Sequence, residues 1–139
     1  MSAKKILVVD DSPVIVRVIQ MQLAKAGFVV TIATDGSEAI SAARREKPDL
    51  IVLDINFPPD VSSGGGIPWN GFLIMQWLRR LDEAKNTPII IVSGEDPAKY
   101  RAEALKLGAV AFFSKPVNYA ELVKTVQQAL AEAPPLTPG

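Results

Sequence analysis

KKILVVDDSP, residues 4–13, sets four consecutive apolar residues directly before two carboxylates and a Ser-Pro pair. Continuous rather than alternating hydrophobicity marks a strand covered on both faces, as in a parallel sheet. Ser12-Pro13 places a capping hydroxyl before a proline at the first helical position, so a helix should start there. A buried strand that passes straight into a helix, with carboxylates at the join, opens a β-α unit.

The same pattern recurs along the chain. Leu50 to Leu53, Ile89 to Val92 and Val110 to Phe113 are apolar runs of strand length. A fifth run, Val29 to Ala33, is interrupted by Thr31 and reads as an edge strand. Helical patterns lie between and after them. In the first, Val14, Val18 and Met21, and also Ile15, Ile19 and Leu23, repeat at helical spacing. Ser37 to Glu46 follows Asp35-Gly36 and stops before Pro48, while Gly71 to Leu81 carries Leu73, Trp77, Leu78 and Leu81 on one stripe. Asp96-Pro97 opens a fourth helix that Gly108 closes. Asn118 with Glu121 forms a capping-box pattern for the last, which sets Leu122, Val126, Ala129 and Leu130 on one face. Strand and helix alternate five times. The expectation is an α/β fold, (βα)5, with helices on both faces of a doubly wound, parallel five-stranded sheet.

Composition narrows the chemistry. The chain has 139 residues, 48% of them hydrophobic, which suits one domain with a proper core. Fifteen basic and fifteen acidic residues cancel, so no overall field favours nucleic acid or an anionic membrane. The apolar run behind Lys4 and Lys5 is too short for a signal peptide or a membrane span, and a cytoplasmic protein is expected. There is no Cys and no His. Thiol nucleophiles, thiolate metal sites, disulfides and the Ser-His-Asp triad are therefore excluded. Carboxylates, hydroxyls, Lys and Arg remain, with a hard cation to help them.

Ligands of open α/β sheets bind beyond the carboxyl ends of the strands. The residues there are Asp10 and Asp11 after the first strand and Asp54 after the third. Ser93 follows the fourth, and Lys115 stands just past the fifth. Each has an ordinary explanation as a cap, a turn or a strand exit. Their conjunction is what points to one site. Two carboxylates about 5 Å apart repel by roughly 3 kcal/mol at an effective dielectric of about 20. Three need compensation, from Lys115 and from an oxygen-preferring cation such as Mg²⁺. A carboxylate beside Mg²⁺, an ammonium and a hydroxyl is equipped to accept a phosphoryl group.

This set, Asp10-Asp11, Asp54, Ser93 and Lys115-Pro116, resembles the receiver domain of two-component response regulators over residues 4–132. The resemblance implies the flavodoxin-like strand order 2-1-3-4-5, which is known for a chemotaxis receiver. It further implies that Asp54 is phosphorylated by a histidine kinase or a histidine phosphotransfer protein. Asp11 would bind Mg²⁺ directly and Asp10 through water, with Asp54 and the backbone carbonyl of Asn56 as further ligands. Ser93 would bond a phosphoryl oxygen, and Lys115 would pair with the phosphate. Gly94 stands where access requires a small residue, and Asn56 and Glu95 where side chains tune the phospho-Asp lifetime. Phe112 occupies the switch-aromatic position, often Tyr, and without a hydroxyl it can signal only by ring position. A core Phe that never moves is the competing reading. Such a chain is a signalling switch and not a conventional enzyme. Its downstream protein target would dock on the face of helix 4, strand 5 and helix 5, and phosphorylation can also bring a homodimer together.

Besides Phe112, the sequence departs from the resemblance in the connection after the third strand. The Asp54-to-Gly71 connection is long, so about residues 59–69 read as an insertion within a receiver domain of residues 1–132. Gly64-Gly65-Gly66 is not followed by Lys-Ser/Thr, and Ile67-Pro68-Trp69 separates it from the helix, so it lacks the phosphate-loop arrangement. A mobile flap with Trp69 as its sticky residue is expected. Residues 133–139 read as a Pro-rich tail or linker stub. Two alternatives compete with the switch. A Mg²⁺-dependent phosphohydrolase of the haloacid dehalogenase type would need Asp-x-Asp after the first strand, where Ser12 stands. A receiver-like scaffold that works without phosphorylation is disfavoured by the complete set of site residues. Oxidoreduction is weaker still, with no G-x-G-x-x-G after the first strand.

Overall fold

The computed structural model describes residues 3–54, 71–82, 84–93 and 97–131. Asn56, Gly94, Glu95, the segment 59–69 and the tail 133–139 lie outside the described residues, as do the side chains of Leu73 and Tyr100. The elements are β1 (Lys5–Val9), α1 (Pro13–Lys25), β2 (Val29–Ala33), α2 (Gly36–Glu46) and β3 (Leu50–Asp54). After these come α3 (Gly71–Arg80), β4 (Ile89–Ser93), α4 (Pro97–Lys106), β5 (Ala109–Ser114) and α5 (Tyr119–Ala131).

All strands pair in parallel, in the order β2-β1-β3-β4-β5. The apolar runs account for only part of the placement, since β5, expected from its uninterrupted run to be covered on both faces, lies at an edge with Val110 exposed. β3 and β4 are buried at every position and occupy the middle, while β2, with Thr31 in its centre, lies at an edge. Successive residues of each inner strand feed opposite layers. Leu7, Val9, Ile51, Leu53, Ile89 and Ile91 pack towards Ala39, Ala42, Ala43, Ile74, Met75, Leu78 and Ala104 of α2, α3 and α4. Ile6, Val8, Leu50, Val52, Ile90 and Val92 pack towards Val16, Ile19 and Leu23 of α1 and Leu122 and Val126 of α5. A fully buried aliphatic side chain contributes roughly 1.5–3 kcal/mol, so these two layers dominate the stability.

The helix ends follow the sequence signals. Ser12 Oγ accepts from Ile15 N at 3.3 Å, Asp35 Oδ1 from Glu38 N at 2.7 Å, and Asn118 Oδ1 from Glu121 N at 3.1 Å. Gly27 and Gly108 close α1 and α4 with φ of 99° and 101°, where side-chain-bearing residues are strained.

Two of the expected stripes are corrected. Of the two apolar rows on α1, the one carrying Val14 and Met21 faces outward, and Val16, Ile19 and Leu23 face the sheet. On α3 the buried residues are Ile74, Met75 and Leu78, and Trp77 is exposed with the Arg80 guanidinium 5.6 Å from its ring centroid. Both errors have one cause. Helical period defines rows of apolar residues, but only the position of the sheet decides which row is inside.

Lys47 ends α2 in the left-handed region at φ 50°, a conformation that costs a non-glycine residue about 1 kcal/mol. Lys47→Gly is therefore expected to raise stability by about 0.5–1 kcal/mol, read as a later denaturation midpoint in urea with an unchanged slope. A lower midpoint would mean that the lysine side chain contributes more than the strain removes.

Candidate functional site

The parallel sheet brings its strand ends to one edge, and the site is built there. Asp10 is the first residue after β1, and its backbone N–H donates to the Ala33 carbonyl at 3.2 Å, which anchors it to β2. Its side chain is almost wholly buried: Oδ1 accepts from Ser12 N at 2.9 Å, and Oδ2 accepts from Lys115 Nζ at 3.1 Å. Asp54 closes β3, buried at 1% exposure, with Oδ2 3.3 Å from Lys115 Nζ. Ser93 closes β4 and is fully buried, and its carbonyl accepts from Lys115 N at 2.8 Å. That backbone bond holds the exit of β5 against the end of β4 and points Lys115 across the sheet edge.

Asp10, Asp11 and Asp54 each offer a carboxylate oxygen, and these atoms lie within 4.8 Å of one another. Two are buried and Asp11 is exposed, so the cluster opens to solvent on one side. Burial pushes the Asp11 carboxyl above its ordinary range, and the neighbouring Asp10 charge and hydrogen bond push the same way. At Lys115, burial disfavours the ammonium, but Asp54 and Asp10 together outweigh it and raise the group above its usual value. Lys115 therefore remains charged at neutral pH.

The donor set fits a hard divalent cation. Octahedral Mg²⁺ binds oxygens at about 2.0–2.1 Å, so its ligand oxygens stand about 3–4 Å apart. Carboxylate oxygens already within 4.8 Å need only a small contraction to meet that geometry. Three carboxylates against one ammonium also leave a negative balance that a dication relieves. Asp10 is occupied by Ser12 N and Lys115, which agrees with a more distant role than that of exposed Asp11.

The expected site residues that fall among the described ones, Asp10, Asp11, Asp54, Ser93 and Lys115, do converge on one edge of the sheet. Phe112 stands apart from them, partly buried on β5 against the layer formed with α2, α3 and α4. Ser12 is not a surrogate acid: its hydroxyl caps α1, which removes the second carboxylate that a dehalogenase-type hydrolase needs. The Lys115–Pro116 peptide bond is cis, which the Lys-Pro pair alone did not announce.

A five-stranded sheet in this order, with carboxylates and a lysine gathered at its carboxyl edge, defines a receiver-type α/β domain. Residues 6–127 match the model of the response regulator receiver domain, and the chain belongs to that family. It is 36% identical over 118 residues to a probable transcriptional regulatory protein, TcrX, of Mycobacterium tuberculosis, covering 85% of this chain but 46% of that protein. With the protein PilH of Pseudomonas aeruginosa it shares 34% identity over 127 residues, 91% of this chain and 98% of PilH. The chain thus spans about half the length of the first relative and nearly all of the second. A solved receiver domain of a Pseudomonas aeruginosa sensor histidine kinase, with a magnesium ion coordinated in its active-site cleft, superposes with a TM-score of 0.78. It is 27% identical, over 94% of this chain and all of the other. Among the described residues no helix is long and apolar enough to cross a membrane.

Proposed function

We propose that the chain is a phosphorylation-activated switch of a two-component phosphorelay, with Asp54 as the phosphoacceptor. The observation that carries this reading is the buried Asp54 carboxylate sharing the Lys115 ammonium with Asp10, beside exposed Asp11. A bystander salt bridge needs no third carboxylate. A phosphoryl acceptor needs one carboxylate to attack and others to hold the cation that screens the incoming phosphate.

The donor is a phosphohistidine on a histidine kinase or phosphotransfer protein. An Asp54 oxygen forms the new O–P bond as the donor N–P bond breaks, and the electron pair leaves on the imidazole nitrogen. Mg²⁺, when bound, neutralises charge on the transferring oxygens. Asp11, Asp54 and the Asn56 carbonyl would hold it, with Asp10 assisting through water. Lys115 exchanges its carboxylate contact at Asp54 for one to the phosphoryl group, and Ser93 donates its hydroxyl to a phosphoryl oxygen. Asn56 and Glu95 set the lifetime of the acyl phosphate, and Phe112 relays the change by ring position. The magnesium in the cleft of the sensor-kinase receiver supports the cation assignment. The chain acts on no substrate other than its own Asp54. Its output surface is the face of α4, β5 and α5, where Leu105 and Val110 are exposed apolar residues for a target or a second phosphorylated copy.

Incubation with a small acyl phosphate and Mg²⁺ tests the proposal by intact mass. One added phosphate is expected with Mg²⁺, and none after the cation is chelated. Equal labelling in both arms would exclude the cation role, and no labelling in either would favour the phosphorylation-independent scaffold.

A further inference from the structure

Arg79, at the end of α3, has no role in the phosphoacceptor site. Its guanidinium donates to the carbonyls of Thr87 at 2.7 Å, Ala84 at 3.3 Å and Lys85 at 3.5 Å, in the connection leading to β4. It also donates to the Gly108 carbonyl at 3.3 Å, in the turn that joins α4 to β5. One planar fork thus ties three segments together. Among the described residues no carboxylate pairs with it, and burial pulls its pKa below the ordinary arginine value. A half-buried cation held by carbonyls alone has been placed for its geometry rather than for charge pairing.

Two further observations show what it holds. The β4–β5 ladder runs from Ile89↔Ala109 to Ile90↔Ala111, so Val110 is an extra residue and the sheet's grip on the start of β5 is interrupted. Beside Arg79, the seam of α3 with the end of α4 is left partly open. Met75, Gln76, Arg79, Arg80 and Leu107 line a cavity of about 290 Å³ there. The guanidinium is therefore a polar tie on the turn that follows the carboxyl end of α4, added to the apolar anchoring by Ala104 and Leu107. The other end of α4 begins at Pro97, four positions after Ser93.

We propose that Arg79 is a positioning residue of the switch, pinning the carboxyl end of α4 so that phosphorylation moves its amino end about a fixed pivot. The proposal rests on the switch reading above. It converts a small displacement at Ser93 into a rotation of α4 instead of a translation. A rotation alters the exposed surface most where α4 is nearest the phosphoryl group. Lysine cannot replace arginine here, because an ammonium has no planar fork to span two connections.

The test is residue-by-residue amide NMR on the whole chain, with and without beryllofluoride and Mg²⁺, in wild type, Arg79→Gln and Arg79→Lys. In wild type, shifts at Ala98 to Arg101 should exceed those at Leu105 to Ala109. In both variants that gradient should flatten while the response next to Asp54 persists. Hydrogen exchange without the phosphate mimic supplies a second arm. Gly108 and Ala109 amides should exchange about tenfold faster in the variants, as expected for losing a charge-assisted bond, with central-strand amides far less affected. A wild-type profile already flat along α4, or a variant that keeps the wild-type gradient, overturns the pivot. No response anywhere in wild type would instead overturn the switch reading. In that event unchanged exchange at Gly108 would overturn the pin on its own. Should Arg79→Gln not fold, the wild-type gradient and the Lys variant still decide.

Discussion

Asp54→Asn is expected to take up no phosphate from an acyl phosphate donor under conditions that label the wild type, a loss of at least about 100-fold. The amide oxygen is a poor nucleophile, and no other carboxylate is similarly placed. Asp10 is buried with its oxygens committed to Ser12 N and Lys115, and Asp11 is exposed at the open side of the cluster. Intact mass gives the answer directly. The same substitution should stabilise the protein when no divalent cation is present. It removes one of three crowded carboxylates and leaves the Asp10–Lys115 pair in place. A gain of about 1 kcal/mol is reasonable against a pairwise repulsion of roughly 3 kcal/mol partly screened at the open side. Added Mg²⁺ should stabilise the wild type and do little for the variant. A variant that labels as the wild type does would move the acceptor elsewhere. One that is less stable without cation would contradict the electrostatic account of the site.

Lys115→Ala should have the opposite sign. Its ammonium lies 3.1 Å from Asp10 and 3.3 Å from Asp54, so removing it strands two buried carboxylates. Breaking a buried pair from one side costs about 3–5 kcal/mol. With Lys115 23% exposed and the carboxylates free to take up a proton, roughly 2 kcal/mol is expected without a cation. Mg²⁺ binding should be retained or tightened, because the cation loses a competitor for the same oxygens, and saturating Mg²⁺ should recover much of the lost stability. What should not recover is the conformational answer to phosphate. Beryllofluoride should bind, yet amide shifts at Phe112 and along α4 should shrink to a small fraction of those in wild type. A full-sized response would show that Lys115 only neutralises charge. Stability unaffected in the absence of cation would show that the two contacts carry little energy.

The parts of this site that were legible in the sequence are those fixed by strand ends. Continuous apolar runs locate Asp10, Asp54 and Ser93 without knowledge of any contact, because a parallel sheet must place the ends of its strands together. Strand order is different. It came from family likeness, since the runs marked only β2, interrupted by Thr31, as an edge, and periodicity carries no information on neighbours. The outward row of α1 and the exposure of Trp77 were misjudged because period does not say on which side the sheet lies. Nothing local announced Arg79 either. Four carbonyl acceptors in two connections become neighbours only after α3, β4 and β5 are in place. Lys47 is a similar case, because a left-handed residue that is not glycine leaves no compositional mark.

The contact between Lys115 and Asp10 joins residues 105 positions apart. During synthesis, a chain emerging from the ribosome therefore carries all three carboxylates long before their counter-charge exists. Until β5 is made and paired, the acidic edge repels itself and can be quieted only by protons or by metal ions from the surrounding solution. The last piece of the charge balance is thus also a report that the sheet has been completed. A partly made or β5-frayed molecule would lack the ammonium that pairs with Asp10 and Asp54 and that, on the proposed reading, receives the phosphate. Such a molecule is disarmed as a signal by the same defect that leaves it unfinished.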